Sequence, residues 1–300
     1  MKKILFAVFV CQIFLVTCRT PDDDNGNSSS TNIFEANTGS FEFTSHDPLS
    51  EKPFKVHFYI PNSVDRSNSP ILFVFPGMNR DASNYLTTWI PLAELKHIMV
   101  FSFEFSDYHY PGGNAYQQGY VFDDNGNLNG QEKWAFSAIE PVFDFIKNEL
   151  NYQYNQYDMF GHSGGAQFVH RYVIFKPNAR INRAIAANSG WYTLPDTTVT
   201  FPYGLESTGL SINEVQSAFT QQLQIHLGQN DNNPNDPSLR DTPEANLQGA
   251  HRLDRGRYFI AKCDTLSNQY SSSFNWLKKE VPNVGHNREG MSVFAANELY

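Results

Sequence analysis

The feature that most constrains the fold is a serine flanked by glycines, Ser163, in the pentapeptide Gly161-His162-Ser163-Gly164-Gly165. The pattern G-x-S-x-G is typical of a sharp turn from a strand into a helix, which lifts the serine hydroxyl out of the backbone. Glycine tolerates such a crowded backbone without steric cost. Residues 157–160 before the turn are mainly apolar, and residues 166–173 after it carry an apolar stripe at helical spacing. The flanks therefore favour strand, turn and helix over a glycine-rich loop with an incidental serine.

The rest of the chain alternates strand-like and helix-like segments. Continuous apolar runs indicate strands that are buried on both faces, as in a parallel sheet covered by helices. One segment, residues 55–60, alternates and ends at Pro61, as an outer strand would. The other strand predictions are residues 71–75, 98–103, 157–160, 183–187, 223–227 and 274–281.

The clearest helix prediction spans residues 131–150, where apolar side chains recur every three or four positions and Pro141 is a candidate kink. Further helices are predicted at residues 252–266 and 288–299. This βαβ rhythm predicts an α/β fold with a doubly wound, mostly parallel sheet flanked by helices. Ligands are then expected beyond the carboxyl ends of the strands.

The N-terminal residues are typical of a signal peptide. Lys2 and Lys3 precede an apolar run, residues 4–16, that is short for a bilayer span and is followed by Thr17 and Cys18. This end resembles a bacterial lipobox, although Thr17 stands where Gly, Ala or Ser is usual. The acidic cluster at residues 22–24 resembles the surface-export signal of Bacteroidota lipoproteins. We therefore predict lipidation at Cys18 and an outer-membrane or cell-surface location, with a secreted protein as the alternative.

These features predict a signal peptide over residues 1–18, a flexible tether over 19–33 and a catalytic domain over 34–300. The whole chain is 40% hydrophobic and 15% aromatic, and the domain is large enough for one core. Cys263 is the cysteine left in the mature domain, so no disulfide within the chain is expected, and we predict that this thiol is buried.

Charge and motif spacing argue against several classes of partner. A formal net charge of -9 disfavours nucleic acid, whose phosphates require Lys and Arg. No His, Cys and Asp spacing matches a zinc site. Residues 123–127, Asp-Asp-Asn-Gly-Asn, superficially resemble a calcium loop but lack its glutamate and its length, and Asn125-Gly126 predicts a hairpin turn. We expect no metal, and a monomer that contacts membrane only through its lipid.

A serine hydroxyl needs a general base, normally a histidine oriented by a carboxylate. His286 is the best base, because it follows the last predicted strand and precedes the last helix. Asp231 is the best acid, because it lies just after the strand at residues 223–227. Asp236 and Asp241 lie on the same loop and remain alternatives. The chain order Ser, Asp, His is the one expected for a nucleophile on such a turn.

Acyl transfer also needs hydrogen-bond donors for the developing oxyanion. We predict one at the backbone N–H of Gly164 and a second at the backbone N–H of Met78, after the strand that ends at Phe75. The side chain of Arg80 is a less favoured contributor.

Aromatic and imidazole side chains after two other strands could contact substrate. Trp191 and Tyr192 could form an aromatic wall of the acyl pocket, although packing in the core explains them as well. His109 and Tyr110 follow the strand at residues 98–103 and are predicted to line the cleft.

From about Lys55 to the C-terminus, the chain resembles the α/β-hydrolase superfamily. The resemblance rests on four segments: Pro76-Gly77-Met78, the turn at residues 161–165, residues 228–231 and Val284-Gly285-His286. Many members have His-Gly where this chain has Pro76-Gly77. Within the superfamily the chain is similar to the extracellular polyhydroxybutyrate-depolymerase-like and feruloyl-esterase-like branch. The resemblance implies hydrolysis of carboxylic esters through an acyl-enzyme, without a cofactor. The alternatives are a serine peptidase of the same fold and a surface-binding lipoprotein without activity.

Overall fold

In the computed structural model, residues 33–300 are described, and within them eight strands form one sheet in the order β1-β2-β4-β3-β5-β6-β7-β8. The predicted signal peptide, the lipidation site at Cys18 and nearly all of the predicted tether lie outside the described residues. The strands are β1 (Thr38–Phe43), β2 (Phe54–Tyr59), β3 (Ile71–Phe75), β4 (Met99–Glu104), β5 (Tyr157–His162), β6 (Ile181–Ala187), β7 (Leu223–Gly228) and β8 (Leu277–Val281).

Every pair of neighbouring strands in the run β4-β3-β5-β6-β7-β8 is parallel. Strand β2 runs antiparallel to both of its neighbours, β1 and β4. All five residues of β3 and all six of β5 are buried, which explains why their sequences are apolar without alternation. The prediction of a mostly parallel sheet buried on both faces is confirmed.

Helices cover both faces of the sheet. Successive residues of β3 point to opposite sides: Phe73 joins the larger apolar cluster, and Leu72 and Val74 join the smaller one. Helices α1 and α8 contribute to the smaller cluster, and α3, α4, α5 and α7 to the larger one. The helices are α1 (Ala82–Lys96), α2 (Gly112–Ala115), α3 (Ile139–Leu150), α4 (Gly164–Phe175), α5 (Ile212–Phe219), α6 (Pro243–Gln248), α7 (Arg252–Gln269) and α8 (Arg288–Leu299).

Two predicted elements differ in the structure. The α-helix predicted over residues 131–150 begins only at Ile139, after two short 3₁₀ segments. Pro141 therefore lies in the first turn, where the N–H that proline lacks has no partner within the helix in any case. Strand β2 is not the outer strand, because β1 pairs along its full length and takes the edge position.

Other local predictions are confirmed. Asp123 accepts hydrogen bonds from the backbone N–H groups of Asn125 and Asn127, closing the predicted turn. Cys263 is a free, buried thiol on α7.

No helix within residues 33–300 combines the length and the apolar character needed to cross a bilayer.

The parallel strands bring their carboxyl ends to one edge of the sheet. The segments that leave β3, β5, β6, β7 and β8 at this edge carry Met78, Ser163, Trp191, Asp231 and His286, respectively. Residues that are as much as 208 positions apart along the chain, such as Met78 and His286, thus leave the sheet on the same side.

Candidate active site

Ser163 is the single residue between β5 and α4, and its backbone is strained. Its φ of 56° and ψ of -114° lie in a region that side-chain-bearing residues rarely occupy. Strand and helix approach so closely that a Cβ on Gly161 would lie 2.2 Å from the carbonyl oxygen of Gly165. A Cβ on Gly165 would lie 1.9 Å from the carbonyl oxygen of Phe75. The glycines therefore permit the sharp turn that presents the Ser163 hydroxyl.

The structure brings His286 and Asp231 to this hydroxyl. The His286 Nε2 lies 3.0 Å from the Ser163 Oγ, and the His286 Nδ1 lies 2.8 Å from the Asp231 Oδ2. With its proton on Nδ1, the imidazole donates to the carboxylate and offers Nε2 as an acceptor to the serine. The Asp231 side chain is 4% exposed and that of His286 is 25% exposed, so the acid is shielded while the base is partly exposed.

Asp231 is also held from its other side. Its Oδ1 lies 3.4 Å from the Arg252 Nη1, which also binds the Asp236 Oδ2 at 3.0 Å. Hydrogen bonds from Arg252 and Ser238 hold the pKa of the Asp236 carboxyl below its usual range, although burial opposes them. Asp241 instead accepts a hydrogen bond from Asn246. Of the three candidate acids, the structure places Asp231 against the imidazole.

Asn188, at the end of β6, ties the acid loop to the base loop. Its Oδ1 accepts from the backbone N–H of Gly228, and its Nδ2 donates to the carbonyl of Gly285, at 2.7 and 2.8 Å. The residue itself has a φ of 50°, a left-handed conformation that asparagine tolerates better than most residues. Immediately after His286, the side chain of Asn287 accepts from the N–H of Gly290 and begins α8.

A second imidazole, that of His162, supports the first. The ring centroids of His162 and His286 lie 4.8 Å apart, and the His162 Nδ1 lies 3.0 Å from the hydroxyl of Tyr85. Burial is the main cause that lowers the pKa of His162 well below its usual value, with repulsion from His286 and nearby arginines adding to it. His162 is therefore a neutral ring that packs against His286 without adding charge. The sequence identified it only as a residue of the turn.

Two backbone amides converge beside the serine. A Cβ on Gly164 would lie 2.8 Å from the Met78 amide nitrogen, so the two backbones are in close approach. Gly164 begins α4, where N–H groups have no partner within the helix. Neither amide donates to a backbone or side-chain acceptor among residues 33–300. This geometry suits the binding of an oxyanion.

The hydroxyl of Ser163 opens into a cavity of about 440 Å³. Gln117 and Gln118 from the segment after α2, Gln167 from α4, and Trp191 from the segment after β6 form part of its wall. The charged groups that line it are Arg80, Asp107, Arg240 and Arg252.

The predicted substrate-contact residues are divided between this cavity and the core. Trp191 lines the cavity. Tyr192 is fully buried and its ring stacks on Phe259, with centroids 4.5 Å apart. Tyr110 is also buried, and its hydroxyl donates to the carbonyl of Lys52. The rings of Tyr192 and Tyr110 thus pack away from the cavity, because each fills a gap between aromatic neighbours of the core.

His109 is half-buried beside the exposed ring of Tyr108, with ring centroids 4.7 Å apart, and is not part of the cavity wall. From the sequence, Arg80 is the less favoured, side-chain contributor to the oxyanion site. In the structure its guanidinium donates to the carbonyls of Phe105, Tyr110 and Gly112, so it braces the loop after β4.

Sequence reasoning missed the arginines behind and across the cavity. Arg171 and Arg255 are fully buried, and Arg240 and Arg252 line the cavity. They are scattered along α4, α7 and the loop after β7, so no local motif identifies them. Among the residues that the structure describes, no group of three or more His, Cys, Asp or Glu side chains could hold a metal ion.

No family model and no curated protein matches the sequence. Solved structures do match. A poly(aspartic acid) hydrolase-1 from Sphingomonas sp. KT-1 is 38% identical, with a TM-score of 0.83 over 87% of this chain and 97% of that protein. The poly(3-hydroxybutyrate) depolymerase LpqC from Bordetella parapertussis is 30% identical, with a TM-score of 0.84 over 88% and 89%. An S-formylglutathione hydrolase from Agrobacterium tumefaciens, at 12% identity and a TM-score of 0.56 over 87% and 92%, shares the fold.

Proposed function

This chain belongs to the α/β-hydrolase superfamily of serine esterases, in its polyhydroxybutyrate-depolymerase-like branch, and we propose that it cleaves carboxylic esters through an acyl-enzyme on Ser163. It is a hydrolase of the esterase and depolymerase type. The observation that carries the proposed mechanism is the chain of contacts from Ser163 through His286 to Asp231, at 3.0 and 2.8 Å. Hydroxyl, imidazole and carboxylate in this order make a nucleophile, its general base and the group that orients the base.

In the proposed acylation step, the Ser163 Oγ attacks the ester carbonyl while the His286 Nε2 takes the hydroxyl proton. The imidazolium that forms is stabilised by Asp231, which stays ionised. The carbonyl oxygen becomes an oxyanion, which the N–H groups of Gly164 and Met78 bind. The tetrahedral intermediate then expels the alcohol, whose oxygen takes the proton from His286, and an acyl ester on Ser163 remains.

Deacylation repeats the same steps with water. His286 removes a proton from a water molecule that attacks the acyl carbonyl, the same two amides bind the oxyanion, and the Ser163 oxygen leaves with the proton from His286. The products are the free carboxylic acid and the resting enzyme. Every proton transfer passes through the His286 Nε2, which lies beside the Ser163 Oγ while Nδ1 stays on the carboxylate.

Replacement of Ser163 by Ala tests the proposal directly. We expect kcat/KM for a p-nitrophenyl ester to fall by about 10⁴-fold or more, because the nucleophile and its base act as a unit. A fluorophosphonate should add covalently to Ser163 in the wild type, as seen by peptide mass spectrometry, and should not label the variant. Ser50→Ala, on a partly buried turn far along the chain from β5, is the matched control. Unchanged ester turnover in Ser163→Ala would contradict the mechanism.

A peptidase-like activity on amide bonds is the second candidate. One relative is a poly(aspartic acid) hydrolase, and poly(aspartic acid) is joined by amide bonds. Amide cleavage requires that His286 protonate a leaving amine, which the same geometry permits. Kinetics on p-nitrophenyl esters and on peptide anilides with the same acyl group separate the two activities.

We also propose an extracytoplasmic location, with Cys18 as the lipid-bearing residue. The support comes from the sequence: a basic start, an apolar run and a cysteine followed by acidic residues. Full-length protein expressed in a bacterium that processes lipoproteins should incorporate labelled fatty acid and enter the detergent phase. Cys18→Ala should do neither. Incorporation of label by the variant would contradict the assignment to Cys18.

A further inference from the structure

Five arginines surround the cleft, which is unexpected in a chain with a net charge of -9. We call them the arginine cluster. Three line the cavity that contains Ser163, and two lie fully buried behind its wall. The members are Arg80, Arg240 and Arg252 on the cavity and Arg171 and Arg255 behind it.

Carboxylates neutralise only part of the cluster. Asp107 lies 3.2 Å from Arg80, and Asp231 and Asp236 both contact Arg252. For Arg171, Arg240 and Arg255, no ion pair with a carboxylate occurs among the residues that the structure describes. Guanidinium groups stay protonated in proteins. Three positive charges beside the cleft are therefore not compensated by a paired acid.

The two buried members are held by carbonyl oxygens. Arg255 donates to the carbonyls of Gly190, Gly249 and Arg240, and Arg171 donates to the carbonyls of Gln117 and Gln167. Burial is the main cause that lowers the pKa of both guanidinium groups. Carbonyl dipoles stabilise a buried cation without cancelling its charge, so its field reaches the cleft through a medium of low dielectric constant.

Trp191 connects the buried and the exposed parts of the cluster. The Arg171 guanidinium lies 4.2 Å from the centroid of its ring, and the Arg240 guanidinium lies 4.7 Å from it. Both distances fall within the range of cation–π contacts. Trp191 is 4% exposed, so the contact with Arg240 fixes an exposed guanidinium on a rigid platform at the cavity wall.

Arg240 has donors left for a ligand. Its Nε donates to the hydroxyl of Tyr203 at 2.7 Å. Its two Nη groups make no hydrogen bond with any residue in the described part of the chain, and the side chain is exposed on the same cavity as Ser163. Two parallel N–H donors of a guanidinium match the two oxygens of a carboxylate.

We propose that this cleft selects substrates that carry a carboxylate near the scissile ester, and that Arg240 is the residue that recognises it. This inference rests on the proposed ester hydrolysis at Ser163 and adds the chemical class of the substrate. The rest of the surface, with its net negative charge, repels anions, whereas the cluster attracts them at the point where the reaction takes place.

A matched pair of esters tests the proposal. The p-nitrophenyl monoester of adipic acid carries a free carboxylate, and p-nitrophenyl methyl adipate has the same acyl chain with that carboxylate capped. In the wild type we expect kcat/KM to favour the anionic ester by about fivefold or more at low salt, since an exposed charge pair stabilises binding only modestly. The preference should shrink as salt is added, because salt screens exposed charges. Equal or lower kcat/KM for the anionic ester would overturn the proposal.

Variants assign the preference to Arg240. Arg240→Gln should remove most of it, Arg240→Lys should keep part of it, and Arg240→Glu should reverse it. Lys133→Gln removes one positive charge from an exposed residue that does not line the cavity, and it should keep the wild-type ratio. An unchanged ratio in Arg240→Gln would refute the role of Arg240.

Ester hydrolysis at Ser163 and the preference for anionic esters are tested by separate outcomes. If the wild type hydrolyses the neutral ester and Ser163→Ala does not, the mechanism is supported whatever the charge preference is. A ratio near one in an active enzyme would refute only the anionic substrate class.

Discussion

Arg252 and His286 share one carboxylate. The Arg252 Nη1 lies 3.4 Å from the Asp231 Oδ1, and the His286 Nδ1 lies 2.8 Å from the Asp231 Oδ2. Arg252 is 3% exposed and also binds Asp236, so it fixes the plane of the Asp231 carboxylate from behind. Asp231 can then orient the imidazole without moving when the imidazole becomes charged.

This arrangement predicts which acid matters. Asp231→Asn should lower kcat by about 10⁴-fold, because an amide in place of the carboxylate favours the wrong imidazole tautomer. Asp236→Asn and Asp241→Asn should lower it by less than about tenfold, since neither carboxylate contacts His286. Steady-state kinetics on a p-nitrophenyl ester measure all three. A loss in Asp236→Asn as large as that in Asp231→Asn would show that the acid has been assigned wrongly.

The oxyanion site can be closed by one methyl group. In Gly164→Ala the new Cβ would lie 2.8 Å from the Met78 amide nitrogen and 2.9 Å from the Gln117 Nε2. We expect kcat to fall by about 10²–10³-fold, as when an oxyanion donor is lost. Circular dichroism should show that the variant folds.

The control for this variant is Gly190→Ala, in the same cavity wall. Its Cβ would lie 3.2 Å from the Gln167 Nε2, the end of a flexible side chain that can move away. The effect on kcat should stay within severalfold. Equal losses in the two variants would mean that crowding of the cavity, rather than loss of the donors, explains the result.

The sharp turn at Ser163 should tolerate no side chain at its last glycine. A Cβ at position 165 would lie 1.9 Å from a backbone oxygen of β3, and neither partner can move without separating helix from sheet. We expect Gly165→Ala to destabilise the fold by about 3 kcal/mol or more, as for other severe core substitutions. Urea unfolding measures the change. A variant as stable as the wild type would contradict this packing argument.

Acid should destabilise the protein through its buried histidines. Burial lowers the pKa of His226 to about 3, and it lowers those of His162 and His170 well below the usual value. Between the lowered pKa and about 6.5, the unfolded chain binds more protons than the folded one, so stability falls as the pH decreases. The stabilisation is complete only above about pH 6.5.

His226→Gln isolates one of these groups. The loss in free energy of unfolding between pH 7 and pH 5 should be smaller in the variant than in the wild type by about 1–2 kcal/mol. Values at pH 8 give the part of the substitution effect that does not depend on pH. Parallel pH curves for the two proteins would show that His226 does not titrate on unfolding.

Much of the site follows from local sequence. Ser163 could be placed because its glycines act within five residues, and Asp231 and His286 because parallel strands bring their carboxyl ends together. The choice among Asp231, Asp236 and Asp241 needed the structure, since all three lie on one loop and only their tertiary partners differ.

The sequence does not reveal contacts between segments that are distant along the chain. Arg171 and Arg255 look like surface residues, because some of the carbonyls that hold them, such as those of Gln117 and Gly190, come from segments distant along the chain. Tyr192 and Tyr110 are aromatic residues near strand ends, but composition does not say whether a ring faces a cleft or the core. The start of α3 could not be predicted from the sequence, because Pro141 is compatible with the first turn of a helix as well as with a kink inside one.

The amide of Asn188 has a dynamic consequence. Since one side chain binds both Gly228 and Gly285, the segment that carries the acid cannot separate from the segment that carries the base without breaking at least one of these two hydrogen bonds, of which one is buried and one is partly buried. Fluctuations of the two loops are thereby coupled, and the reactive arrangement is lost or kept as one cooperative unit.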